Sequence, residues 1–197
     1  MKKAILCVCV TLSFAAISSA QSFHIGAKAG ANLTKIEGRS FKQSYELGYQ
    51  LGGFVELDLN KNWGIQPEIL FSQTNTIIDS GYKAIYQDID NAVIGQKAHL
   101  NYLTIPILLR LNAGNLLTLN LGPQFSILTN EDKTLLRNGQ AAIKHGDLAG
   151  VLGAQINLGA LRVYGRYNFG LNNINDIDNQ DKWKSQQLQF GLGLKLL

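Results

Sequence analysis

The amino-acid sequence predicts an all-β fold in which eight antiparallel strands form an up-and-down transmembrane β-barrel. Eight segments alternate between apolar and polar residues at a period of two, which indicates strands with two unlike faces. Each segment has at least the roughly 9 to 11 residues that a tilted strand needs to cross a bilayer. Short and long connections alternate between the segments, and an even number of strands joined in this way is typical of a membrane barrel.

The eight predicted strands cover most of the chain. They span residues 22–34, 44–59, 62–73, 98–112, 115–129, 147–157, 160–171 and 184–197. The second, fourth and sixth strands are followed by short turns at Asn60-Lys61, Ala113-Gly114 and Leu158-Gly159. The other connections are long extracellular loops, of which the longest covers residues 74–97. Because short turns face the periplasm in outer-membrane barrels, both chain ends are expected on the periplasmic side.

The beginning of the chain has the pattern of a secretory signal peptide. Lys2-Lys3 precedes an apolar run, and small residues follow at Ser18-Ser19-Ala20. We expect cleavage before Gln21, which makes residues 1–20 the signal peptide and residues 21–197 a single outer-membrane β-barrel domain. An uncleaved anchor is the alternative, but the apolar run is shorter than the ~20 residues of a spanning helix.

The composition of the chain excludes several kinds of chemistry. Charged residues make up 16% of the chain, below the roughly 25% of an average soluble domain. Both cysteines, Cys7 and Cys9, lie in the signal region, which excludes a disulfide, a thiolate nucleophile and a cysteine-ligated metal from the mature protein. Without Lys2 and Lys3 there are 16 basic and 14 acidic residues, a balance that does not support nucleic-acid binding.

The two faces of the predicted strands differ in charge. One face is apolar and includes Ile105, Ile107 and Leu109 in the fourth strand. The opposite face carries the mid-strand charges, which are Lys28, Glu46, Glu56, Glu68, Arg110, Arg162, Arg166 and Lys195. Its other residues are mostly Gly, Ser, Gln, Asn and Thr, whereas a solvated surface is expected to be about 25 to 35% charged. We therefore expect the apolar face to contact lipid and the charges to form an ion-pair network in the lumen, since unpaired buried charges are costly.

Aromatic residues and prolines lead to two further expectations. The apolar face carries aromatic side chains toward the strand ends, as the lipid-facing girdles of a membrane barrel require. These residues are Phe23, Trp63, Tyr45, Phe71, Phe125 and Phe169.

Pro67, Pro106 and Pro123 fall within predicted strands, although a closed barrel has no free edge where a missing N–H is harmless. Bulges or local breaks in the hydrogen-bond ladder are expected at these prolines.

Five sequence segments, spread over the whole mature chain, carry a family resemblance. They are HIGAKAGANLT (24–34), QPEILFSQ (66–73), YLTIPILLR (102–110), LGPQFSIL (121–128) and LRVYGRYNFGLNNI (161–174). Together they resemble the PorT-like outer-membrane β-barrel family of gram-negative bacteria, a group of small porin-like barrels. The resemblance implies the barrel architecture and a place in the bacterial outer membrane. It implies no single activity.

Residues that could carry catalysis or bind a metal are scattered. The sequence contains no G-x-S-x-G, H-E-x-x-H, P-loop or G-x-G-x-x-G motif. His24, His99 and His145 are far apart, and the latter two are expected as exposed residues near the long-loop rim. The last long loop holds weak candidates for a calcium site without the glycine and glutamate of an EF-hand, namely Asp176, Asp178 and Asp181. No cofactor and no metal are expected.

Two of the long loops have features of their own. Asn138-Gly139 lies between strand-like runs and predicts a hairpin turn. Either the fifth and sixth strands continue there as a protruding ribbon, whose edge can dock a partner strand, or the segment is a plain loop. The loop over residues 74–97 is too apolar to be a simple linker, which favours a cap on the barrel mouth or a contact with a ligand.

These observations predict an integral outer-membrane β-barrel protein without catalytic activity. It would act in envelope structure or assembly, or in binding through its extracellular loops, with its lumen plugged by ion pairs. An eight-stranded barrel is wide enough only for side chains or one small ligand, which argues against a general diffusion porin. The expected partners are outer-membrane lipid, the barrel-assembly machinery during biogenesis, and an extracellular or envelope protein. The alternatives are an outer-membrane lipid-modifying enzyme and a soluble secreted lipocalin-like carrier.

Overall fold

The described part of the chain is almost entirely β-structure. The computed structural model describes residues 22–37, 42, 44–77, 97–131, 136–137, 140–141, 146–174 and 182–197. The strands are β1 (Ser22–Glu37), β2 (Glu46–Asp58), β3 (Trp63–Ile77), β4 (Lys97–Ala113), β5 (Leu117–Glu131), β6 (Leu136–Arg137), β7 (Gln140–Ala141), β8 (Gly146–Leu158), β9 (Leu161–Gly170) and β10 (Lys184–Lys195). Within these ranges, no helix is both long enough and apolar enough to cross a membrane.

Eight strands form a closed barrel in which every pairing is antiparallel. Their order is β1-β10-β9-β8-β5-β4-β3-β2, and the pairing of β1 with β10 closes the ring. Short turns join β2 to β3, β4 to β5 and β8 to β9. Gly114 and Gly159 adopt φ angles of 71° and 63° in two of these turns, a conformation that glycine reaches without strain. The predicted eight-stranded antiparallel barrel is confirmed.

The predicted strand boundaries differ most from the structure at the end of β3. Thr74 to Ile77 were expected in the longest loop, but they continue β3 and pair with β4 as far as Ile77 with Lys97. The period-two alternation is lost here, because Thr74, Asn75 and Thr76 are all buried. Strand pairing therefore continues beyond the part of the strand that the apolar pattern reveals.

Side-chain exposure alternates along the strands as the sequence predicts. In β4, Leu108 is fully buried and Arg110 is 3% exposed, whereas Ile107 is 44% exposed. Leu47 and Ile69 on the same outward face are each 62% exposed. An exterior of large apolar side chains is suited to hydrocarbon rather than to water. The predicted orientation, with the apolar face outward and the charged face inward, is confirmed.

The three prolines interrupt the hydrogen-bond ladder without changing its register. Pairing is missing between β2 and β3 beside Pro67, between β3 and β4 beside Pro106, and between β4 and β5 beside Pro123. Proline has no N–H to donate, which accounts for the gaps. The predicted local ladder breaks are confirmed, and the register continues unchanged on the far side of each. The pairing of β4 with β5 shifts register at a different place, between Asn101 and Tyr102.

β6 and β7 form a short antiparallel pair, with Leu136 opposite Ala141 and Arg137 opposite Gln140. This pair is a sheet separate from the barrel, and the predicted turn residues Asn138-Gly139 between its strands lie outside the described residues. The segments that join it to β5 and β8 lie outside the described residues. The same is true of residues 1–20 and 78–96, and of His145, Asp176, Asp178 and Asp181.

Replacing Ile107 with arginine is expected to lower the free energy of unfolding by about 2 to 4 kcal/mol, because it places a charge near the bilayer midplane. Leu111 lies on the same outward face of β4 but nearer the short-turn end, so Leu111→Arg should cost at most about 1 kcal/mol. Urea unfolding in lipid bilayers measures both losses. Equal losses, or none for Ile107→Arg, would contradict the outward orientation of this face.

Candidate functional site

The inward side chains of the barrel form successive layers along its axis. Nearest the short turns is a charged layer around Glu56, and a second charged layer surrounds Glu68. Amide and hydroxyl side chains follow, and buried apolar side chains lie at the long-loop end. The lumen is therefore filled by side chains over most of its length and is the candidate functional site.

The layer around Glu68 brings three charged residues from β1, β3 and β9 together. Lys28 Nζ lies 3.1 and 3.0 Å from the two Glu68 carboxylate oxygens, and Arg166 donates to both oxygens at 2.8 Å. Gln66 Nε2 donates to Oε1 at 2.7 Å. Lys28, Glu68 and Arg166 are each at most 3% exposed. A buried charge is tolerated when opposite charges and hydrogen bonds surround it, and this carboxylate has both.

Tyr164 packs against both cations of this cluster. Lys28 Nζ lies 3.7 Å from the centre of the Tyr164 ring, and Arg166 Cζ lies 4.9 Å from it. Both distances are within the range of cation–π attraction. Gln50 Nε2 donates to the Tyr164 hydroxyl at 3.0 Å. An added Cβ at Gly191 would overlap that hydroxyl, so the glycine makes room for the tyrosine.

The layer around Glu56 joins residues of β2, β4 and β9. Arg162 donates to the two Glu56 oxygens at 2.9 and 3.0 Å, an arrangement of two parallel bonds that fixes both groups. Arg110 Nη1 lies 3.0 Å from Glu56 Oε1, and Gln155 Nε2 donates to the same oxygen at 3.1 Å. Arg162 also donates to the Gly159 carbonyl at 2.6 Å, which ties the layer to a short turn.

Asp58 adds a carboxylate that the sequence analysis did not include. It lies 3.5 Å from Arg110 Nε and accepts hydrogen bonds from Ser22 at 2.9 Å and Asn112 at 3.2 Å. Its signal was present in the sequence, since Asp58 shares the inward parity of Glu56 two residues earlier. The sequence analysis overlooked Asp58 because it lies at the end of its strand, next to the turn residues.

Two of the charges expected in the network lie elsewhere. Lys195 is on the inward face near the short turns, but none of the described carboxylates is within 4.0 Å of it. Glu46 starts β2 at the long-loop end, ten residues from Glu56, and accepts a hydrogen bond from Ser44 at 3.4 Å. Parity placed both residues on the inward face, but their heights along the axis separate them from the two clusters.

Buried apolar side chains that sequence reasoning missed lie at the long-loop end of the lumen. Leu100, Ile36, Ile174 and Trp183 are at most 1% exposed. The Ile174 amide donates to the Trp183 carbonyl at 3.0 Å, and the Trp183 amide donates to the Asn173 side chain at 2.8 Å. The layer below contains amides, hydroxyls and the Asp147 carboxyl group around a cavity of about 20 Å³, enough for about one water molecule.

The predicted girdle aromatics all lie on the outward face. Phe23, Tyr45, Trp63 and Phe71 are each 42% exposed and Phe125 is 48% exposed. Phe169 is half-buried, because it lies over Gly150 and stacks on Tyr167 with ring centres 6.2 Å apart. Tyr49 and Phe190 are further outward aromatics, 49% and 52% exposed, that the girdle prediction omitted.

The described histidines lie at opposite ends of the barrel. His24 is near the short turns, with Nδ1 3.8 Å from Glu56 Oε2. His99 lies in β4 near the long loops, where its Nδ1 is 2.6 Å from Asn75 Oδ1. Within the described ranges, no three His, Cys, Asp or Glu residues are grouped to hold a metal ion.

A basin of about 900 Å³ opens at the short-turn end of the barrel. Its floor is the charged layer of Arg110, Glu56 and Arg162, and its wall includes His24 and Lys195. The charged floor separates this basin from the layers above. The lumen is thus open at one end and filled along the rest of its described length.

The closed antiparallel barrel, its apolar exterior and its ion-paired interior define a membrane-spanning barrel of the outer-membrane class. Residues 19–176 match the family described as outer membrane protein beta-barrel domain, and the chain belongs to that family. Membership places the protein in the bacterial outer membrane, with the short turns toward the periplasm. No curated protein sequence matches the chain significantly.

Solved outer-membrane proteins have a similar fold. Ail, the attachment invasion locus protein of Yersinia pestis, solved in complex with the heparin analogue sucrose octasulfate, aligns with a TM-score of 0.52 and 14% identity. That alignment covers 89% of this chain and 100% of Ail. Neisserial surface protein A aligns with a TM-score of 0.54 and 11% identity over 90% of this chain and 99% of its own. At sequence identities this low, the similarity to these two proteins shows a shared fold and nothing further.

Replacing Glu68 with glutamine is expected to lower the free energy of unfolding by about 3 to 5 kcal/mol, because it leaves Lys28 and Arg166 buried without a counterion. Glu37→Gln removes a carboxylate from a partly exposed pair with Lys35, 3.5 Å away, and should cost less than about 1 kcal/mol. Urea unfolding in bilayers compares the two variants. A small, equal effect of both would show that the Glu68 cluster contributes little.

Replacing Gly191 with alanine is expected to destabilise the barrel by about 1 to 3 kcal/mol through overpacking, because the added Cβ overlaps the Tyr164 hydroxyl and the Ala29 carbonyl oxygen. Gly53→Ala is the matched control, since its Cβ would meet only the Gly26 carbonyl oxygen at an ordinary 3.5 Å. Denaturation midpoints in the same lipid compare them. A Gly191→Ala barrel as stable as Gly53→Ala would contradict the close packing of Tyr164.

Proposed function

We propose that this protein is a closed, non-enzymatic outer-membrane barrel that acts through its two ends rather than by passing solutes. Its roles would be envelope structure or assembly, or binding through the extracellular loops. The observation that carries this proposal is the buried cluster of Lys28, Glu68 and Arg166, which occupies the axis of the barrel.

Several features of the lumen support a closed state. A solute would have to separate Glu68 from two cations held at 2.8 to 3.1 Å, and then pass the cluster of Arg110, Glu56 and Arg162. Separating a buried pair leaves uncompensated charges, which costs several kcal/mol. At the other end, a solute would meet the apolar layer of Leu100 and its neighbours. An eight-stranded ring leaves little width in which these side chains could move aside.

The two ionic clusters do not have the features of a hydrolytic site. Each carboxylate is buried and accepts hydrogen bonds from an arginine, so it is placed to neutralise charge rather than to act on a substrate. A lipocalin-like carrier is disfavoured because its cavity would present apolar side chains inward, whereas here most of the large apolar residues point outward.

The finer parts of the assignment belong to the same proposal. We propose that the chain is a PorT-like member of its family, on the five sequence segments that resemble that group. The pattern of residues 1–20 supports export with cleavage before Gln21. Insertion would then involve the barrel-assembly machinery, with outer-membrane lipid around the aromatic girdles.

The closed lumen is expected to give no steady channel current when the purified barrel is reconstituted in planar bilayers. Replacing Lys28, Glu68 and Arg166 together by alanine should raise the frequency of open events, because it removes the central cluster without leaving an unpaired charge. Replacing Lys35 and Glu37 together by alanine is the matched control and should leave the recordings unchanged. A steady open level in the unmodified protein would contradict the proposed function.

A further inference from the structure

The basin at the periplasmic end has a surplus of positive charge. Its volume of about 900 Å³ falls within the roughly 300 to 1,000 Å³ of small-molecule sites. The ionised side chains that line it, with histidine counted as neutral, are four cations and two carboxylates, namely Lys61, Arg110, Arg162, Lys195, Glu56 and Asp58. The lining therefore carries a net charge of +2. A concave wall of low dielectric focuses such a field on the space inside it.

Both carboxylates of the basin are already engaged by the protein. Glu56 faces Arg162, Arg110 and Gln155 at distances of 2.9 to 3.1 Å. Asp58 accepts from Ser22 and Asn112, as described above. Because both carboxylates are already engaged by protein donors and the net charge of the lining is positive, the basin favours an anionic over a cationic ligand.

Lys195 differs from the two arginines of the basin, because it has no carboxylate partner among the described residues. Lys195 has no carboxylate within 4.0 Å. Arg110, by contrast, is paired with two carboxylates, since its Nη1 lies 3.0 Å from Glu56 Oε1 and its Nε lies 3.5 Å from Asp58 Oδ1. His24 Nδ1 is buried without a hydrogen-bond partner. An anionic oxygen in the basin would give Lys195 a charged partner.

A network of hydrogen bonds holds the floor of the basin in place. Asn112 accepts from Thr118 at 2.9 Å, Thr118 accepts from Asn157 at 2.9 Å, and Asn157 accepts from Gln155 at 2.9 Å. Gln155 also donates to Glu56, so the network ends at the charged cluster. Donors held in this way lose little conformational freedom when they bind a ligand, which favours affinity.

We propose that the basin is a binding site for a small, soluble, multivalent anion of the periplasm that bears carboxylate or phosphate groups, with Lys195 as its principal contact. The volume admits a ligand much larger than a single phosphate. The site opens below the closed axis, so binding there does not require the barrel to conduct. Anion binding in the basin goes beyond the proposed function. The basin can bind an anion whether or not the lumen is closed, and the lumen can be closed whether or not the basin binds an anion.

The test uses the folded, full-length barrel in phosphatidylcholine nanodiscs, observed by backbone amide NMR. Gly114 and Gly159 line the basin and report on it, while Gly146 at the extracellular edge is the reference. Citrate, pyrophosphate and uncharged maltose are titrated separately at about 0.1 M salt, where exposed charges are already partly screened. Citrate or pyrophosphate, or both, should shift the two reporters saturably, whereas maltose should not shift them.

Lys195→Gln tests the contact directly and is expected to weaken anion binding about tenfold. Lys184→Gln removes the same charge at the extracellular end of the same strand, β10, and should leave the affinity unchanged. Binding that is equal in the two variants, or absent for both anions in the unmodified barrel, would overturn the proposal. So would a shift of Gly114 and Gly159 produced by phosphatidylglycerol in the nanodisc without added anion, because it would assign the basin to lipid headgroups.

Discussion

The structure depends on the need to hydrogen-bond every strand on both sides, because lipid hydrocarbon offers no donors or acceptors of its own. The pairing of β1 with β10 meets this need by leaving the sheet without a free edge. Pro67, Pro106 and Pro123 are local exceptions that fall on three neighbouring strands. Each removes a short stretch of pairing, and the unchanged register beyond it keeps the ring closed.

Closure also determines what the interior can contain. Eight strands leave a narrow axis, so inward charges must lie beside opposite charges or remain buried alone at a high cost. Glu56 and Glu68 meet this condition in the same way, each between two cations that come from other strands. These pairs also favour one register, since a slip by one residue would turn a strand's charge toward the lipid.

The two ends of the lumen differ in a way that separates their roles. The extracellular end contains the buried apolar side chains of Ile36, Leu100, Ile174 and Trp183, next to a layer of buried polar residues such as Thr74 and Asn75. The periplasmic end is an open basin with more cations than carboxylates. A filled barrel with a charged basin at its periplasmic end is better suited to binding at its ends than to transport along its axis.

The sequence by itself determined the strand count, the antiparallel order and the direction of each face, because alternation at a period of two is a local property of the chain. It also placed Lys28, Glu68 and Arg166 on one face. Only the tertiary structure decided that these three meet, that Lys195 remains apart and that Trp183 is buried within the described fold. The alternation shows which way a side chain points, but an ion pair also requires that its two residues lie at the same height along the barrel axis. That height follows from the stagger of the strands around a closed barrel.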